Sequence, residues 1–506
     1  MQYISTRGGE GSYTASQAIL QGIAPDGGLL VPERIPQLDL EEITALCDLD
    51  YRSRAVRILS LYLDDYTQAE LEEAVDLAYD EEKFGEDPAP LVRLNKYNPY
   101  EFMLELWHGP TSAFKDMALQ LLPHLLTTAV RKNGTDRKIC ILTATSGDTG
   151  KAALEGFRDV PGTAVAVFYP EQGVSETQRL QMVTQEGSNV TVAGVRGNFD
   201  DTQTGVKGIF GDQALAAQLD AAGVMLSSAN SINWGRLVPQ IVYHFSAYAD
   251  MLKAEYIEPG EAINIVVPTG NFGNILSAWY ASKMGLPVHK LICASNRNKV
   301  LSDFIRNGVY DRRREFYRTL SPSMDILVSS NLERLLFEVS DRDPVKVAGW
   351  MASLTEKGSY ALDPVELRRV QELLVGGFCD DAGTLRTIRE IYDRTDHLVD
   401  PHTAVGFNVY GRYLQRSGDT AKTVFVATAC PFKFTEAIAD ALYGPGFGKE
   451  KSSKELFSEI SEESGLEVPP GIAGLDARPV LHDQVVDREN MRDVVLRFLG
   501  LEDTAD

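Results

Sequence analysis

Short apolar runs alternate with amphipathic stretches through the middle of the chain, from about residue 136 to residue 295. The runs include KICILTAT, TAVAVFYP, NVTVAGV and INIVVP, and the stretches between them include SETQRLQMVTQEG and INWGRLVPQIVYHFSAYADML. Nearly continuous Val, Ile, Leu and Ala runs are typical of strands buried on both faces of a sheet. The alternation therefore predicts parallel βαβ units in an α/β fold.

Other parts of the chain extend or depart from this central pattern. Late in the chain, the helix-like stretch HTAVGFNVYGRYLQRSG precedes a strand-like run, TVFVATA, which adds another α/β unit. Residues 1–99 and 299–400 carry helical charge patterns instead, such as YTQAELEEAVDLAY. They are predicted to be additions around the α/β centre.

Composition and net charge argue against several classes of protein and partner. At about 150 residues per domain, 506 residues predict two to four domains, and 44% apolar with 24% charged residues excludes wholesale disorder. With 49 Lys and Arg against 72 Asp and Glu, the net charge of −23 disfavours nucleic acid and membrane surfaces as partners. Any anionic small molecule must then be held by local donors.

The five cysteines are scattered without a C-x-x-C pair, so the sequence predicts neither a disulfide framework nor a structural zinc site. The first eight residues lack a signal pattern, and no apolar run approaches the roughly 18 residues of a membrane-spanning helix. We therefore expect a soluble, cytoplasmic protein that binds no metal.

Lys115 is a candidate nucleophile. Residues 100–107 alternate as a strand, HGPTS breaks the pattern, and a helix with Thr111 or Ser112 as its cap is predicted to follow, kinked at Pro123. A cation in the first turn opposes the helix dipole, which favours a neutral amine able to form a Schiff base. Asp116 partly offsets this effect, and an ordinary solvated lysine is the alternative.

Two strand-to-helix turns could bind anions. Ser-Gly-Asp-Thr-Gly at 146–150 follows KICILTAT, and Gly-Asn-Phe-Gly-Asn at 270–274 follows INIVVP. Free backbone N–H groups at a helix N-terminus suit a carboxylate or phosphate. The second turn fits neither G-x-G-x-x-G nor the Walker pattern, and ordinary turns without a ligand remain the alternative for both.

Two further segments carry polar groups at element ends. SSANSINWGR supplies Asn230, Ser231, Asn233 and Arg236, which could converge on one oxyanion or could cap a helix and face solvent. Thr428 ends the run TVFVATA, where its hydroxyl could face a ligand or bond the local backbone.

Taken in order, these segments resemble the threonine synthase family, pyridoxal-phosphate enzymes of the fold shared with tryptophan synthase β chains and cysteine synthases. The resemblance spans most of the chain and includes YISTRG, GLLVPERIP, HGPTSAFKD, TSGDTG, SSANSINWGR, PTGNFGN, TLSPSMDILVSSNLERL, DPHTAVG and VATACPFKF. It implies two open parallel-sheet α/β lobes with the cofactor in the cleft between them. The implied domains are an N-terminal subdomain at 1–99, a first lobe at 100–258, and a second lobe at 259–506 that includes a helical insertion at 299–400.

The resemblance also implies roles for individual residues. Lys115 would hold pyridoxal 5'-phosphate, Asp148 would lie near its hydroxyl and Thr428 beside its pyridine nitrogen. The cofactor phosphate would be bound by Gly270, Asn271, Phe272, Gly273 and Asn274. The substrate's α-carboxylate would be received by Ser146 and Thr149, and its phosphate by Asn230, Ser231 and Arg236.

The implied reaction, part of threonine biosynthesis, converts O-phospho-L-homoserine and water into L-threonine and phosphate. The nearest alternative is a phospho-lyase that releases 2-oxobutyrate from the same substrate. More distant alternatives are a cysteine synthase or threonine dehydratase, and a cofactor-binding protein without catalysis. Cys430 stands where the family usually has histidine, and we expect no loss of activity because Thr428 carries the assigned role. We expect a monomer or homodimer.

Overall fold

Two sheets organise the computed structural model, which describes residues 1–95, 98–171 and 173–501. They are preceded by a mainly helical N-terminal subdomain whose elements are β1 (Tyr3–Ser5), α1 (Ala15–Gln21), β2 (Leu30–Pro32), α2 (Leu40–Ala45), α3 (Tyr51–Tyr62), α4 (Gln68–Ala78) and α5 (Glu81–Phe84). Strands β1 and β2 pair antiparallel. The ring of Trp234 lies 5.5 Å from that of Tyr3 and 5.4 Å from that of Tyr62, so this subdomain packs directly on the α/β core.

The segment that carries Lys115 differs from its prediction in two ways. It contains β3 (Leu91–Asn95), β4 (Asn98–Glu105), α6 (Asp116–Leu119) and α7 (Leu122–Lys132). The helix predicted to be kinked at Pro123 is therefore two helices, and Pro123 lies in the first turn of α7, where its missing N–H is not needed. The predicted cap is also wrong, because Thr111 donates from its backbone N–H and its hydroxyl to the carboxylate of Asp116.

A five-stranded parallel sheet follows. Its strands lie in the order β15-β7-β6-β5-β8. They are β5 (Lys138–Ala144), β6 (Thr163–Pro170), β7 (Val190–Val195), β8 (Val224–Ser227) and, from the C-terminal region, β15 (Val485–Val486). The helices associated with them are α8 (Asp148–Gly156), α9 (Glu176–Val183), α10 (Phe199–Gly211), α11 (Gln213–Ala221) and α22 (Met491–Leu499). Every residue of β6 and β7 is buried, as the continuous apolar runs predicted.

The second sheet has six strands in the order β13-β10-β9-β14-β4-β3, all parallel except the edge strand β3. The new strands are β9 (Ile263–Pro268), β10 (Val288–Ser295), β13 (Leu374–Phe378) and β14 (Thr423–Ala427). The helices are α12 (Trp234–Lys253), α13 (Gly273–Lys283), α14 (Val300–Asn307), α15 (Leu332–Val339), α16 (Pro344–Lys357), α17 (Pro364–Leu373), α18 (Asp381–Thr395), α19 (Pro401–Ser417), α20 (Thr435–Tyr443) and α21 (Ser453–Ser464). Strands β11 (Val309–Asp311) and β12 (Ser359–Ala361) form a separate antiparallel pair.

These two sheets confirm the α/β fold with parallel sheets, although the sheets do not follow the predicted lobe boundaries. Strand β4 falls in the predicted first lobe and pairs in the second sheet, while β15 falls in the predicted second lobe and pairs in the first. The predicted helical insertion likewise contributes β13 to the edge of the six-stranded sheet. Within the described ranges, no helix is both long and apolar enough to cross a bilayer.

Candidate active site

A cavity of about 750 Å³ lies where strand ends from the two sheets face each other. The loops that follow the carboxyl ends of β5, β8, β9 and β14 all reach it, as is usual for ligand sites in parallel α/β sheets. The cavity brings together all the residues to which the family resemblance assigns a role, and its lining includes Lys115, Ser146, Asp148, Thr149, Asn230, Ser231, Arg236, Gly270, Asn271, Phe272, Gly273, Asn274 and Thr428. Asn233, from the same segment as Arg236, instead caps α12 by accepting from the Gly235 N–H.

Lys115 is fixed at the cavity through backbone bonds to the end of β14. The Phe114 N–H donates to the Thr428 carbonyl over 2.9 Å, and the Cys430 N–H donates to the Ser112 carbonyl over 3.0 Å. Burial lowers the pKa of the Lys115 amine. The predicted helix-dipole effect is therefore not the main cause, since the helix that Lys115 precedes has only four residues.

Asp148, at the start of α8, is the centre of a buried polar cluster. Its Oδ1 lies 3.0 Å from Lys433 Nζ and accepts from Gln178 Nε2 over 2.9 Å. Its Oδ2 accepts from Ser323 Oγ over 3.1 Å and lies 3.4 Å from Lys115 Nζ. Burial alone would raise the pKa of this carboxyl, but the positive charge of the neighbouring Lys433 holds it well below its ordinary value.

Sequence reasoning missed three partners of Asp148. Lys433 stands alone between Phe432 and Phe434, and a charged residue in an apolar run is a signal that could have been used. Gln178 closes an ordinary capping box with Ser175, and Ser323 follows a proline in the short 3₁₀ helix Pro322–Met324, so neither pattern points to a site.

The turn at 270–274 has the geometry of an anion site at a helix N-terminus. Phe272 adopts φ 64° and precedes α13, whose first residue is Gly273. Both amide atoms of Asn274 are buried and lack a hydrogen-bond partner among the residues described. Because buried amides normally find partners, these two atoms are available to bind a ligand or an ordered water in the cavity.

The two glycines of this turn are required for different reasons. A Cβ on Gly270 would lie 2.5 Å from the backbone oxygen of Ser323, so the protein itself excludes a side chain there. A Cβ on Gly273 would have its nearest neighbour at 3.5 Å, the Cβ of Ser231. The protein therefore has space for a Cβ at Gly273, and only a bound ligand would exclude a side chain at this position.

Asn331, which the sequence analysis missed, links two parts of the site. Its Nδ2 donates to Ser231 Oγ over 2.8 Å and to the Asn271 carbonyl over 3.2 Å, and its backbone N–H also donates to Asn271. Arg334 in α15 in turn donates to Asn331 Oδ1. The 270–274 turn and the segment around Ser231 therefore share one support.

Arg236 is a buried cation in the first turn of α12. One nitrogen, Nη1, donates to the Ala229 carbonyl, while Nε has no hydrogen-bond partner in the described part of the chain. No carboxylate of the described residues lies within 4.0 Å of the guanidinium, and burial lowers its pKa to about 10. A buried arginine without a counterion is costly unless an anion reaches it.

Thr428 follows β14, with its backbone held by neighbours on both sides. Its N–H donates to Thr403 Oγ1 over 3.3 Å, and that hydroxyl donates to Asp400. Cys430, two residues later, is buried and burial raises the pKa of its thiol to about 12. Such a thiol is chemically inert, because the thiolate is the reactive form.

Three family models match the chain in sequence order. "Threonine synthase N terminus" matches residues 2–79, "Pyridoxal-phosphate dependent enzyme" matches 83–364, and "Threonine synthase, C-terminal" matches 403–495. The second alone covers more than half of the chain.

Known proteins resemble the chain over almost its full length. Threonine synthase of Pseudomonas aeruginosa is 39% identical, with 94% of this chain and 97% of that protein covered. Threonine synthase-like 1 of Homo sapiens is 38% identical over 94% of this chain, which spans 63% of the length of that relative. Among solved structures, pyridoxal-phosphate-bound threonine synthase from Brucella melitensis has a TM-score of 0.86 at 35% identity, covering 100% of both chains. The yeast threonine synthase has 0.87 at 31%, covering 99% of both. The chain belongs to the threonine synthase family of pyridoxal-phosphate-dependent enzymes.

Proposed function

We propose that this chain converts O-phospho-L-homoserine and water into L-threonine and phosphate. The observation that carries the proposal is Arg236, a buried guanidinium without a carboxylate partner among the described residues, in the cavity that also contains Lys115 and the 270–274 turn. One anion site at the turn suits the cofactor phosphate. A second site at Arg236 then suits a substrate that carries a phosphate of its own.

The donor set fits pyridoxal phosphate. The unpartnered amide of Asn274 and the helix N-terminus at Gly273 provide donors for a phosphate, and the space beside Gly273 allows a close approach. Lys115 provides an amine for the aldehyde, and the Thr428 hydroxyl stands at a strand end where a ring nitrogen can be bonded. When bound, pyridoxal phosphate supplies an electron sink for the negative charge that develops on the substrate.

Lys115 acts as the proton carrier of the reaction. The lowered pKa of Lys115 favours the neutral amine, which would hold the cofactor and would be able to accept a proton from the substrate Cα. The same amine then moves protons at Cβ, where water adds. Thr428 would hold the ring nitrogen of the cofactor through a neutral hydroxyl, which carries no charge of its own.

The remaining residues orient the substrate. Ser146 and Thr149 flank the N-terminus of α8 and receive the α-carboxylate, where the helix dipole favours an anion. Arg236, with Asn230 and Ser231, binds the phosphate on Cγ. As the phosphate leaves, its charge increases, and the guanidinium stabilises that charge in the transition state.

Product analysis tests the proposal. Purified protein with pyridoxal phosphate and O-phosphohomoserine should release phosphate and threonine in equal amounts. Release of 2-oxobutyrate with phosphate would identify a phospho-lyase instead, and no phosphate release would refute both activities.

We infer that the protein acts in the cytoplasm as a monomer or homodimer. All five cysteines lie in the described ranges and are free, and burial raises the pKa of Cys140, Cys293 and Cys430 to about 12. Thiols without a disulfide suit a reducing compartment. Sedimentation analysis of the purified protein distinguishes the two assembly states.

A further inference from the structure

Lys433 is fully buried, and the proposed mechanism gives it no role. It lies in the short 3₁₀ turn Pro431–Phe434 between β14 and α20. Its Nζ donates to the Thr111 carbonyl over 2.7 Å and pairs with Asp148 Oδ1 at 3.0 Å, and its side chain is 0% exposed. Lysine is almost never fully buried unless it is paired, because removing an ammonium group from water costs free energy.

Two lysines share the carboxylate of Asp148. Among the described residues, Asp148 has the carboxylate that lies within 4.0 Å of both lysine Nζ atoms. The distance is 3.0 Å to Lys433 and 3.4 Å to Lys115. Lys433 has a backbone carbonyl as a further acceptor, whereas Lys115 has the hydroxyl of Ser323 at 3.5 Å and the ring of Phe114. A buried positive charge is therefore better accommodated on Lys433 than on Lys115.

The other charged groups nearby also favour a positive charge on Lys433 over one on Lys115. Arg236 adds a further positive charge toward Lys115. Among the other ionisable groups around the two lysines, Asp116 is bonded by Thr111, Glu155 by Lys151, Asp400 by His402, and Glu105 by His108. His402 also faces Asp148 and helps to keep its pKa low. Cys430 is held as the thiol, because burial raises its pKa to about 12. Among the described residues, Asp148 has the one carboxylate paired with both lysines, and Asp116 interacts with Lys433, so a positive charge is again favoured on Lys433.

We propose that Lys433 is a positioning residue that keeps the amine of Lys115 neutral by occupying the Asp148 carboxylate and placing a fixed positive charge beside it. The proposal rests on the proposed function only in taking Lys115 as the cofactor lysine. The direction of the Lys115 pKa agrees: burial lowers it, Asp148 opposes this, and Lys433 and Arg236 lower it further.

The titration of Lys115 can be measured without substrate or turnover. Full-length protein freed of cofactor is reductively methylated with formaldehyde and cyanoborohydride, the hydride donor, over a range of pH values. Peptide mass spectrometry then gives the modification rate at Lys115 relative to exposed Lys454. Only the neutral amine reacts, so the midpoint of the rate profile reports the protonation of Lys115. In the wild-type protein we expect this midpoint below that of Lys454. Equal midpoints would overturn the proposal.

Two variants move the midpoint in opposite directions. Lys433→Met keeps the length of the side chain and removes its charge, leaving Lys115 as the closest cation to Asp148. The midpoint should then rise by about one pH unit or more, which is about tenfold less neutral amine at a given pH. Asp148→Asn leaves both lysines without the carboxylate, and the midpoint should fall.

Lys151→Met is the matched control. Lys151 is also buried and ion-paired, to Glu155 at 3.0 Å, and it lies on the same helix as Asp148. We expect it to lower the melting temperature without moving the Lys115 midpoint. If Lys433→Met lowers stability in the same way and leaves the midpoint unchanged, Lys433 is merely structural and the proposal fails.

If Lys433→Met does not fold, the Asp148→Asn variant provides the test. A Lys115 midpoint that stays the same or rises in Asp148→Asn refutes the proposal. Because no product is measured, these outcomes are distinct from failure of the threonine synthase assay.

Discussion

Lys115 can be removed without leaving its neighbours unpaired, because Asp148 retains Lys433, Gln178 and Ser323. We therefore expect Lys115→Ala to fold with a melting temperature close to that of the wild type. Threonine formation should fall by about a thousandfold or more, together with the visible absorbance of lysine-bound cofactor. Absorbance spectra, product assays and thermal melts measure these three properties. Appreciable threonine formation by the variant would remove Lys115 from the central role.

Arg236 distinguishes a phosphate-releasing enzyme from relatives that share only the cofactor. Arg236→Ala should lower kcat/KM for O-phosphohomoserine by about thirty- to a thousandfold, since one charge-assisted contact in the transition state contributes about 2–4 kcal/mol. Arg236→Lys should recover only part of this, because a point charge cannot replace the planar fork.

Stability and cofactor content provide the controls for Arg236. A buried cation without a carboxylate partner in the described chain contributes little to folding, so neither variant should lower the melting temperature much. Cofactor content should also stay normal. A variant without cofactor, or with unchanged kinetics, would contradict the assignment of Arg236 to the substrate phosphate.

The position of single residues at the cavity was predictable where they stand at the ends of elements that the apolar pattern predicts. Lys115 directly precedes α6, Arg236 lies in the first turn of α12, and Thr428 directly follows β14. Lys433, which pairs with Asp148, and Asn331, which bonds Ser231, were not predictable. Their roles come from contacts with residues far away in the chain. No local pattern encodes a charge pair that only the tertiary fold creates.

At the scale of elements, the turn between β9 and α13 needs glycine at two positions for different reasons. Gly270 is required by the packing of the protein, and Gly273 by the ligand that the turn is proposed to bind. Gly270→Ala should destabilise the fold by about 1–3 kcal/mol, because its Cβ would meet the Ser323 backbone at 2.5 Å. Gly273→Ala should leave the melting temperature unchanged and weaken pyridoxal-phosphate affinity by about tenfold or more, since the added carbon occupies the approach to the helix N-terminus. Cofactor titration and thermal melts of the cofactor-free protein distinguish the two. Unchanged affinity in Gly273→Ala would make this an ordinary turn.

Strands were predicted better than the helices beside them. The runs TAVAVFYP and INIVVP coincide with β6 and β9 from first to last residue, because every residue of both strands is buried. The break between α6 and α7 was not predicted, since apolar periodicity continues across it. The sheet to which β4 belongs could not be predicted either, because pairing with β14 joins residues more than 300 positions apart.

The whole molecule repels the substrate that its cavity is proposed to bind. The net charge is −23, yet the exposed cations Lys207 and Arg312 line the cavity; Arg313 also lines it but is paired with Asp311 at 2.9 Å. We expect kcat/KM for O-phosphohomoserine to fall as salt screens these two charges.

A double variant tests this electrostatic attraction. Lys207→Gln with Arg312→Gln should lower kcat/KM several-fold at low ionic strength, flatten its salt dependence and leave kcat unchanged. Lys138→Gln with Lys253→Gln is the control, because Lys138 begins β5 and Lys253 ends α12, at the ends of these elements away from the cavity. An equal effect in both double variants would mean that only the net charge matters.

The central position of β14, between β9 and β4, has a consequence for biosynthesis. The ribosome completes Asp148 long before Thr423–Ala427, the strand that closes the gap in the sheet, and Lys433 comes later still. At about 5–20 residues per second, roughly 15 to 60 s separate Asp148 from Lys433. During that interval the nascent chain has neither the threonine hydroxyl nor the buried ammonium of the finished cavity. We therefore expect the complete cofactor cavity to form only after translation has passed residue 433.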